Sequence, residues 1–325
     1  MTCIRSEMIG FGHCLPPKVL TNDDLSKMVE TNDEWIRTRT GILSRHVVEN
    51  ETTSVIAGKA VAQAIADANL TPEDVDVLIL ASITPDNTTP STATKIAGEL
   101  GFRVGVPAFD ISAACSGFVY ALTLADNMIR LGQVKTAVVA GAECLSKIVD
   151  WTDRNTCVLF GDGAGAVVLR AAQGNGESSD RGVLSTCIHS DGRQYNFLKT
   201  SGGASSTQTI GFVEMNGKEV FKHAVVALSD AANQAMEQAH IRKEEIDWLI
   251  PHQANVRIIS TVGEKLGIPE EQVIVTLDHH GNTSAASIPL ALSENIHSGK
   301  IKKGDLLVLT AMGAGFTWGA AVVRL

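Results

Sequence analysis

Three residues with useful chemistry lie in segments that separate predicted strands from predicted helices. These segments are FDISAACSGF (109–118) around Cys115, LIPHQAN (249–255) around His252 and DHHGNTSAAS (278–287) around Asn282. A thiolate is a strong nucleophile, and an imidazole and a carboxamide can donate hydrogen bonds to a developing negative charge. Taken singly, His252 also fits a surface turn and Asn282 a turn-forming residue. Together the three residues indicate a site for nucleophilic catalysis.

Cys115 differs from the other five cysteines in its local sequence. The apolar run before it predicts a buried strand, and apolar residues from Phe118 to Ile129 predict one face of a helix. The thiol therefore falls at a strand-to-helix turn, where free backbone N–H groups and the helix dipole favour a thiolate. A structural role for Cys115 stays open on this pattern. The other cysteines form no Cys-x-x-Cys pair or zinc-finger spacing, so we expect no metal site. We expect small buried side chains at most of Cys3, Cys14, Cys144, Cys157 and Cys187.

The elements that must position these residues repeat along the chain. The apolar run Val75–Ala81 predicts a strand after a helical pattern over 55–70, and this order implies βαβ units with a mainly parallel sheet. Segments that begin at residues 72, 106 and 135 recur in the same order from residues 243, 273 and 305. Compositional likeness among α/β elements is one explanation of this echo, and duplication is the other.

Duplication predicts two similar halves. The first, residues 1–172, carries Cys115, and the second, residues 173–325, carries His252 and Asn282 after a loop-rich insertion over 173–220. By the repeat offset, Cys115 and the Asn282 segment occupy equivalent turns. Two equivalent turns that face each other across a pseudo-twofold axis would converge on one pocket.

Composition narrows the function classes. Among 325 residues, 27 are Lys or Arg and 36 are Asp or Glu, for a net charge of −9, and 44% are hydrophobic. The negative charge argues against nucleic acid as the main partner, since phosphate binding needs clustered cations. No apolar run approaches the roughly 20 residues of a membrane helix, and the first residues lack the apolar stretch of a signal peptide. We therefore expect a cytoplasmic globular protein without nucleic-acid or membrane contacts.

Longer motifs then point to one family. They are NDEWIRTRTGI (32–42), DISAACSG (110–117), GDGAGA (161–166), PHQANVRI (251–258), GNTSAASIP (281–289) and GAGFTWG (313–319). In this order they resemble β-ketoacyl-[acyl-carrier-protein] synthase III, and the resemblance runs essentially end to end. It implies the α/β class and the thiolase fold, a duplicated five-layer αβαβα architecture. It also implies an acyltransferase that initiates fatty-acid biosynthesis by condensing a short acyl-CoA primer, expected to be acetyl-CoA, with malonyl-[acyl-carrier-protein] and loss of CO2.

The resemblance assigns roles to the catalytic residues. Cys115 would accept the acyl group from CoA as a thioester, and His252 and Asn282 would donate hydrogen bonds to the malonyl thioester oxygen. The N–H groups of Cys115 and Ala314 would bind the oxyanion of the acyl-transfer step. Asparagine at position 282, where elongating synthases carry a second histidine, indicates the initiating subclass. The family implies no permanently bound cofactor.

Binding surfaces and a homodimer also follow from the resemblance. Positions that hold the adenine and phosphates of CoA match Trp35, Arg39 and Arg154. The carrier-docking segment matches Gln253, Ala254, Asn255, Val256 and Arg257, with Lys222 and Lys265 as further basic residues. Because enzyme and acyl carrier protein are both acidic, docking needs a local basic patch. Glu264 stands where many members carry a lysine, which weakens that patch.

Two departures concern the acyl channel. Met312 stands where the family usually has an aromatic residue beside the histidine and asparagine, so substrate orientation is expected to differ. Thr89 falls where some relatives place a phenylalanine that reaches into the partner subunit's channel. A smaller side chain there would admit longer or branched primers, unless the loop itself shifts.

One glycine motif and three rival functions complete the analysis. Gly161-Asp162-Gly163-Ala164-Gly165-Ala166 has the glycines of a dinucleotide loop, but an apolar run follows that predicts a strand, so the glycines are assigned to tight packing. The rivals are a related acyltransferase or secondary-metabolite synthase, a Cys/His/Asn hydrolase, and a catalytically silent subunit. Intact Cys115, His252 and Asn282 argue against the silent subunit.

Overall fold

The computed structural model describes residues 3–325, in which strands and helices alternate along the chain. The strands are β1 (Cys3–Cys14), β2 (Lys18–Thr21), β3 (Ser44–Val47), β4 (Val77–Ala81), β5 (Ala108–Ile111), β6 (Thr136–Glu143), β7 (Gly163–Gly174), β8 (Gly182–Ser190), β9 (Leu198–Thr200), β10 (Val213–Met215), β11 (Trp248–Pro251), β12 (Leu306–Gly313) and β13 (Thr317–Arg324). The helices are α1 (Asn22–Leu25), α2 (Asp33–Thr40), α3 (Thr53–Asp67), α4 (Thr92–Glu99), α5 (Gly117–Arg130), α6 (Gly217–Gln238), α7 (Val256–Leu266), α8 (Leu277–His280) and α9 (Ser287–His297). None of these helices is both long and apolar enough to cross a bilayer.

Two large sheets share one strand order. The first runs β1-β7-β6-β4-β5, and the second, read in the matching direction, runs β8-β13-β12-β11. In each sheet the first two neighbouring pairs are antiparallel and the next is parallel. A single parallel bridge between Leu249 and Val273 takes the place of β5 in the second sheet. The three segments that echo each other in the sequence therefore occupy equivalent places in the two sheets.

Helices cover both sheets on both faces, which gives five layers. Along β4, alternate residues from Val77 to Ala81 pack in one cluster with α5 and α9, whereas Leu78 and Leu80 pack against α3 and α4. Along β12, Leu307 and Leu309 join the same central cluster, and the opposite face packs against α6 and α7. Because side chains alternate across a strand, strands buried on both faces are apolar throughout. Helices α5 and α9 form the layer between the sheets.

The two central helices begin with the same kind of turn. A single 3-10 turn, Ala114–Ser116, leads into α5, and another, Ser284–Ala286, leads into α9. The first residue of each turn has a left-handed backbone, with φ of 46° at Ala114 and 51° at Ser284. The turns contact each other, since a Cβ atom added at Gly117 would lie 3.4 Å from the Cβ atom of Ala285. Equivalent turns of the two halves thus meet at one place.

One prediction from the sequence is corrected by the fold, and one is confirmed. The loop-rich reading of residues 173–220 is wrong for Gly182–Ser190, which forms β8 and pairs with β13. Glycines near both of its ends favour turns, and for this reason the strand was not predicted, although its first four residues are buried. The GDGAGA motif opens strand β7 as expected, and a Cβ atom at Gly165 would lie 2.5 Å from the backbone of Leu290. The boundary at residue 172 falls near the end of β7 and stays a prediction.

Candidate active site

One cavity of about 1460 Å³ contains all three residues singled out for chemistry. Cys115 lies in the turn before α5, His252 directly after β11, and Asn282 in the loop before the turn into α9. The carboxyl ends of parallel strands open at the same edge of a sheet, and this is where α/β proteins form their crevices. The fold brings together residues that are up to 167 positions apart in the sequence.

The Cys115 thiol is held as a thiol in the resting protein. Burial raises its pKa to about 12, the nearby Ser284 hydroxyl opposes this rise, and the carboxyl of Glu143 adds to it. The residue is partly accessible from the cavity, while the sulfur is enclosed by protein. The expected stabilisation of a thiolate by the helix dipole is therefore outweighed, because taking a charge out of water costs more than the dipole returns. The proton has to leave during catalysis.

His252 is neutral, and a serine hydroxyl contacts one of its ring nitrogens. It is 2% exposed, and burial lowers its pKa to about 3. Its Nδ1 lies 2.7 Å from the hydroxyl of Ser287, which also accepts the Gln253 N–H at 3.4 Å. With the Ser287 hydroxyl donating to Nδ1, the ring carries its proton on Nε2. His252 is thus a hydrogen-bond donor rather than a charged acid.

Asn282 is anchored through its backbone and its side-chain oxygen. Its N–H donates to Leu159 O at 2.8 Å, and its carbonyl accepts from the Gly161 N–H at 3.0 Å. Its Oδ1 accepts the Ser284 N–H at 2.9 Å, which leaves the NH2 group to donate into the cavity. Two neutral donors, imidazole N–H and amide NH2, therefore line the cavity beside a thiol.

The predicted acyl-step oxyanion site depends on close packing at Gly313. Gly313 is the last residue of β12 and Ala314 follows it, and both line the cavity with Cys115. A Cβ atom at Gly313 would lie 2.4 Å from the backbone nitrogen of Cys115, so only glycine fits there. The Ala314 carbonyl accepts a hydrogen bond from Thr317 Oγ1 at 3.0 Å, which fixes the peptide. The position of Ala314 is compatible with its N–H donating to the oxyanion of the acyl-transfer step, and that role stays a prediction.

The residues predicted to hold CoA cluster at one point. The Arg154 guanidinium lies 4.5 Å from the centre of the Trp35 ring and that of Arg39 lies 5.9 Å from it. Arg154 also donates to the Glu30 carbonyl at 3.0 Å. Trp35 and Arg39 line the cavity. A flat ring needs about 7 Å between two stacking partners, twice an ordinary carbon contact distance, so none fits between Arg154 and Trp35 in this arrangement.

The predicted carrier-docking residues divide into two groups. Gln253 is 1% exposed, with its amide bonded to Pro251 O, Ile274 O and Thr276 N, so its predicted contact with the carrier protein is wrong. Its amide instead joins β11 to the segment before α8. Three of the predicted docking residues are exposed cations: Arg257, Lys222 and Lys265. The Arg257 guanidinium lies 5.6 Å from the centre of the Phe221 ring. Ala254, Asn255 and Val256 are partly buried.

The two acyl-channel residues differ in position. Met312 is 5% exposed and lines the cavity, at the end of β12. Thr89 is exposed, while its neighbours Asn87 and Thr88 line the cavity. The expectation for Thr89 concerns the channel of a partner subunit, and both assignments stay predictions.

Sequence reasoning missed three polar residues next to this site: Ser284, Ser287 and Glu143. Both serines lie inside the GNTSAASIP motif. A hydroxyl group among small residues in that motif was the sequence feature from which a site residue could have been predicted. Glu143 ends strand β6 and is fully buried. A carboxylate at the carboxyl end of a predicted parallel strand is a detectable signal, but its partners Ser82, Thr84 and Ser284 come from other elements.

A separate titratable cluster was also missed. The ligand atoms of His279, His280 and Glu294 lie within 4.8 Å of one another. His279 lies between two carboxylates, at 2.8 Å from Asp278 and 3.0 Å from Glu294. These hydrogen bonds, with Asp278 first, raise the pKa of His279 to about 10. At neutral pH the protonated His279 and the two carboxylates therefore form a separate ion network.

Comparisons with known proteins agree with this geometry. The model of 3-oxoacyl-[acyl-carrier-protein] synthase III matches residues 109–192, and the model of its C-terminal region matches residues 236–325. The chain is 56% identical over 322 residues to beta-ketoacyl-[acyl-carrier-protein] synthase III of Rhodospirillum centenum, covering 99% of both chains. The crystal structure of 3-oxoacyl-[acyl-carrier-protein] synthase III from Aquifex aeolicus superposes with a TM-score of 0.92 at 48% identity, over 98% of this chain and 100% of that one.

A further structure with this fold is the priming beta-ketosynthase from the R1128 polyketide biosynthetic pathway. It superposes with a TM-score of 0.91 at 32% identity, over 98% of this chain and 96% of that one. Fold and site together define the chain as a condensing enzyme of the thiolase fold, which confirms the predicted fold class. The chain belongs to the 3-oxoacyl-[acyl-carrier-protein] synthase III family. It is an acyl-transferring condensing enzyme that initiates fatty-acid synthesis.

Proposed function

We propose that the chain condenses acetyl-CoA with malonyl-[acyl-carrier-protein], releases CO2 and forms the β-ketoacyl carrier product. The observation that carries this proposal is one cavity in which a thiol lies beside two neutral hydrogen-bond donors, His252 and Asn282. A nucleophile and donors for an enolate are the two needs of a decarboxylating condensation. No permanently bound cofactor enters this chemistry.

In the first half-reaction, Cys115 attacks the primer thioester. The carbonyl oxygen becomes an oxyanion, for which the N–H groups of Cys115 and Ala314 are the proposed donors. Their fixed backbone places them without reorganisation during the reaction. CoA leaves, and the acyl group stays on the Cys115 sulfur as a thioester.

In the second half-reaction, malonyl carrier protein enters the same cavity. Nε2–H of His252 and the NH2 group of Asn282 donate to the malonyl thioester oxygen. As CO2 departs, the electron pair of the broken C–C bond moves onto this oxygen as an enolate. The enolate carbon then attacks the acyl group on Cys115, which forms the new C–C bond and frees the thiolate. Neutral donors suit this step because they bind the developing anion without first pairing with the malonyl carboxylate.

The proposed substrate contacts follow from charge and shape. Trp35, Arg39 and Arg154 offer an aromatic face and two cations to the nucleotide end of CoA. Arg257, Lys222 and Lys265 offer exposed cations to an acidic carrier protein, against the chain's net charge of −9.

We also propose a cytoplasmic homodimer. Strand β5 is the edge strand of the first sheet, and all four of its residues are only partly buried. An edge strand exposes unpaired N–H and C=O groups, which a second copy can cover. Sedimentation of the purified chain at micromolar concentration tests this, and a monomer mass contradicts it.

A second candidate is a priming synthase that uses another primer. The likeness to the R1128 priming ketosynthase and the methionine at position 312 favour it as the alternative. Intact-mass measurement of the protein after incubation with a panel of acyl-CoAs separates the two, with Cys115→Ser as control. A persistent acetyl adduct that malonyl carrier protein converts to acetoacetyl product supports the main proposal. Selective loading of a longer acyl group supports the alternative, and turnover without an acceptor indicates a hydrolase.

A further inference from the structure

Glu143 is a fully buried carboxyl group beside the cavity that the steps above leave without a role. Its acceptor atoms receive hydrogen bonds from Thr84 Oγ1 at 2.7 Å, Ile83 N–H at 3.1 Å and Ser82 Oγ at 3.3 Å. The Ser284 hydroxyl lies 3.1 Å from Oε1. Taking a carboxylate out of water is costly, and hydrogen bonds have to offset that cost. Four donors from two segments, the loop after β4 and the turn before α9, are aimed at one carboxyl group, which indicates a site built for that group.

Ser284 connects this carboxyl group to the nucleophile. Its turn contacts the turn of Cys115, both residues line the cavity, and its hydroxyl is near enough to the sulfur to lower the pKa of the thiol. Its N–H donates to Oδ1 of Asn282 at 2.9 Å. Its left-handed φ of 51° is a conformation that a serine adopts at a cost. A hydroxyl has one hydrogen and two lone pairs. When it donates to Glu143, it therefore presents a lone pair to the Cys115 S–H group.

We propose that Glu143 is the proton acceptor for Cys115 and acts through the hydroxyl of Ser284. This inference rests on the proposed acylation of Cys115. As the sulfur attacks the primer thioester, the thiol proton passes to Ser284 Oγ while the Ser284 proton passes to Oε1 of Glu143. The new C–S bond forms, the bond to CoA breaks, and the CoA thiolate takes a proton from water. After condensation, the freed Cys115 thiolate recovers its proton from Glu143 along the same path.

The other ionisable groups at the site are less suited to this task. His252 is a weak base, since burial lowers its pKa to about 3. Burial raises the pKa of Glu143 to about 7, against the hydrogen bonds that lower it. The charge of Glu143 adds to the pKa of two thiols, Cys115 and Cys144. Both stay protonated at neutral pH because burial raises their pKa to about 12. Glu143 is thus the base closest in strength to the thiol it would serve.

The test is the pH dependence of Cys115 reactivity in the full-length protein. Alkylation by iodoacetamide and acylation by acetyl-CoA are followed by intact mass from pH 5.5 to 9, with Cys115→Ser as the blank. In the wild type, both rates should rise as pH passes about 7, where Glu143 becomes ionised. Glu143→Gln keeps the shape but takes up no proton, so both rates should fall about 100-fold, with loss of that rise. Glu143→Asp should recover part of the rate together with the rise.

Ser284→Ala interrupts the path while Glu143 stays in place, and it should lose the same rise. Asp126→Asn is the matched control, because Asp126 is also a fully buried carboxyl group bonded to a serine hydroxyl, Ser6 at 2.7 Å, but lies near the far end of α5. It should keep the wild-type profile. A wild-type profile in folded Glu143→Gln overturns the inference, and if that variant does not fold, a wild-type profile in Ser284→Ala overturns it. If alkylation shows the expected profiles in the wild type and in both variants but no acyl-CoA loads Cys115, the proposed function fails, whereas the role of Glu143 as proton acceptor for the thiol stands.

Discussion

The hydroxyl of Ser287 lies 2.7 Å from Nδ1 of His252. Ser287 is the first residue of α9, in the central layer, whereas His252 directly follows β11 of the second sheet. The contact links the start of a central helix to the end of a strand. When the hydroxyl donates to Nδ1, the ring proton lies on Nε2, which is then the nitrogen that can donate to a substrate.

Ser287→Ala should weaken condensation more than acylation. Without the hydroxyl, the neutral ring is free to place its proton on Nδ1, where it cannot reach the malonyl thioester oxygen. A hydrogen bond contributes about 1 kcal/mol, so malonyl decarboxylation on the acyl-enzyme should slow by roughly five- to tenfold. Ser293→Ala is the matched control, because Ser293 lies on the same helix and contacts another histidine, His13, at 2.9 Å. Equal losses in both variants would contradict the tautomer argument.

Asn282→Ala should separate the two half-reactions. It removes the NH2 donor to the enolate and leaves the Cys115 thiol in place. Loss of one such donor costs about 3 kcal/mol of transition-state stabilisation, or roughly 100-fold in rate. Intact mass should show normal acetylation of Cys115, while release of labelled CO2 from malonyl carrier protein falls by that factor. A comparable loss of acetylation would place Asn282 in the first step.

Much of this architecture could be predicted from the sequence, because duplicated segments must bury equivalent faces. The echo between Val75–Ala81 and the segment at Ile246 predicts β4 and β11, which occupy equivalent places in the two sheets. The same reasoning brings the Cys115 and Asn282 turns together. Strand β8 was missed because strand pairing with β13 is a long-range contact that local composition does not encode.

Charge and burial of individual polar groups were less predictable. Gln253 appears in a docking motif, yet its amide ties four backbone groups inside the protein. The helix start after Cys115 predicts a lowered thiol pKa, but the depth of the site raises it. Both outcomes depend on how much protein lies around a side chain, which is a property of the whole fold.

Gly313→Ala should block acylation. The added methyl group would lie 2.4 Å from the Cys115 nitrogen, so the backbone must shift where the oxyanion is expected to bind. A displacement of about 1 Å at a reacting centre costs on the order of 100-fold in rate. Intact mass after incubation with acetyl-CoA measures this loss.

Gly58→Ala is the control for that substitution. Gly58 lies inside α3, and a Cβ atom there would meet nothing within 4 Å. This change should stabilise the helix by up to about 1 kcal/mol and leave acylation unchanged. Full acylation of Gly313→Ala would show that the turn after β12 tolerates movement and would contradict the proposed oxyanion site.

Trp35→Ala should raise KM for acetyl-CoA without changing the chemistry at Cys115. Aromatic stacking contributes about 1 kcal/mol beyond buried area, so the rise should be roughly fivefold, with little change in kcat. Acetyl-pantetheine lacks the nucleotide and provides the control, because its KM should be the same in both proteins. An equal effect on both donors would mean that Trp35 supports the site rather than binding the nucleotide.

His279→Gln should lower stability in acid and neutral solution but not in alkali. Hydrogen bonds to Asp278 and Glu294 raise the pKa of His279 to about 10 in the folded protein, against about 6.5 when unfolded. A raised histidine pKa contributes stability that is complete below pH 6.5 and is lost as pH rises through 10. The side chain is 42% exposed, so solvent screening limits the contribution to roughly 1 kcal/mol. The difference in free energy of unfolding between wild type and variant should therefore shrink steadily from pH 6 to pH 10, as measured by urea denaturation. Asp278→Asn should flatten this trend, because it removes the first of the two carboxylates. If the difference in free energy of unfolding between wild type and His279→Gln stays constant over the whole pH range, the ion network contributes nothing.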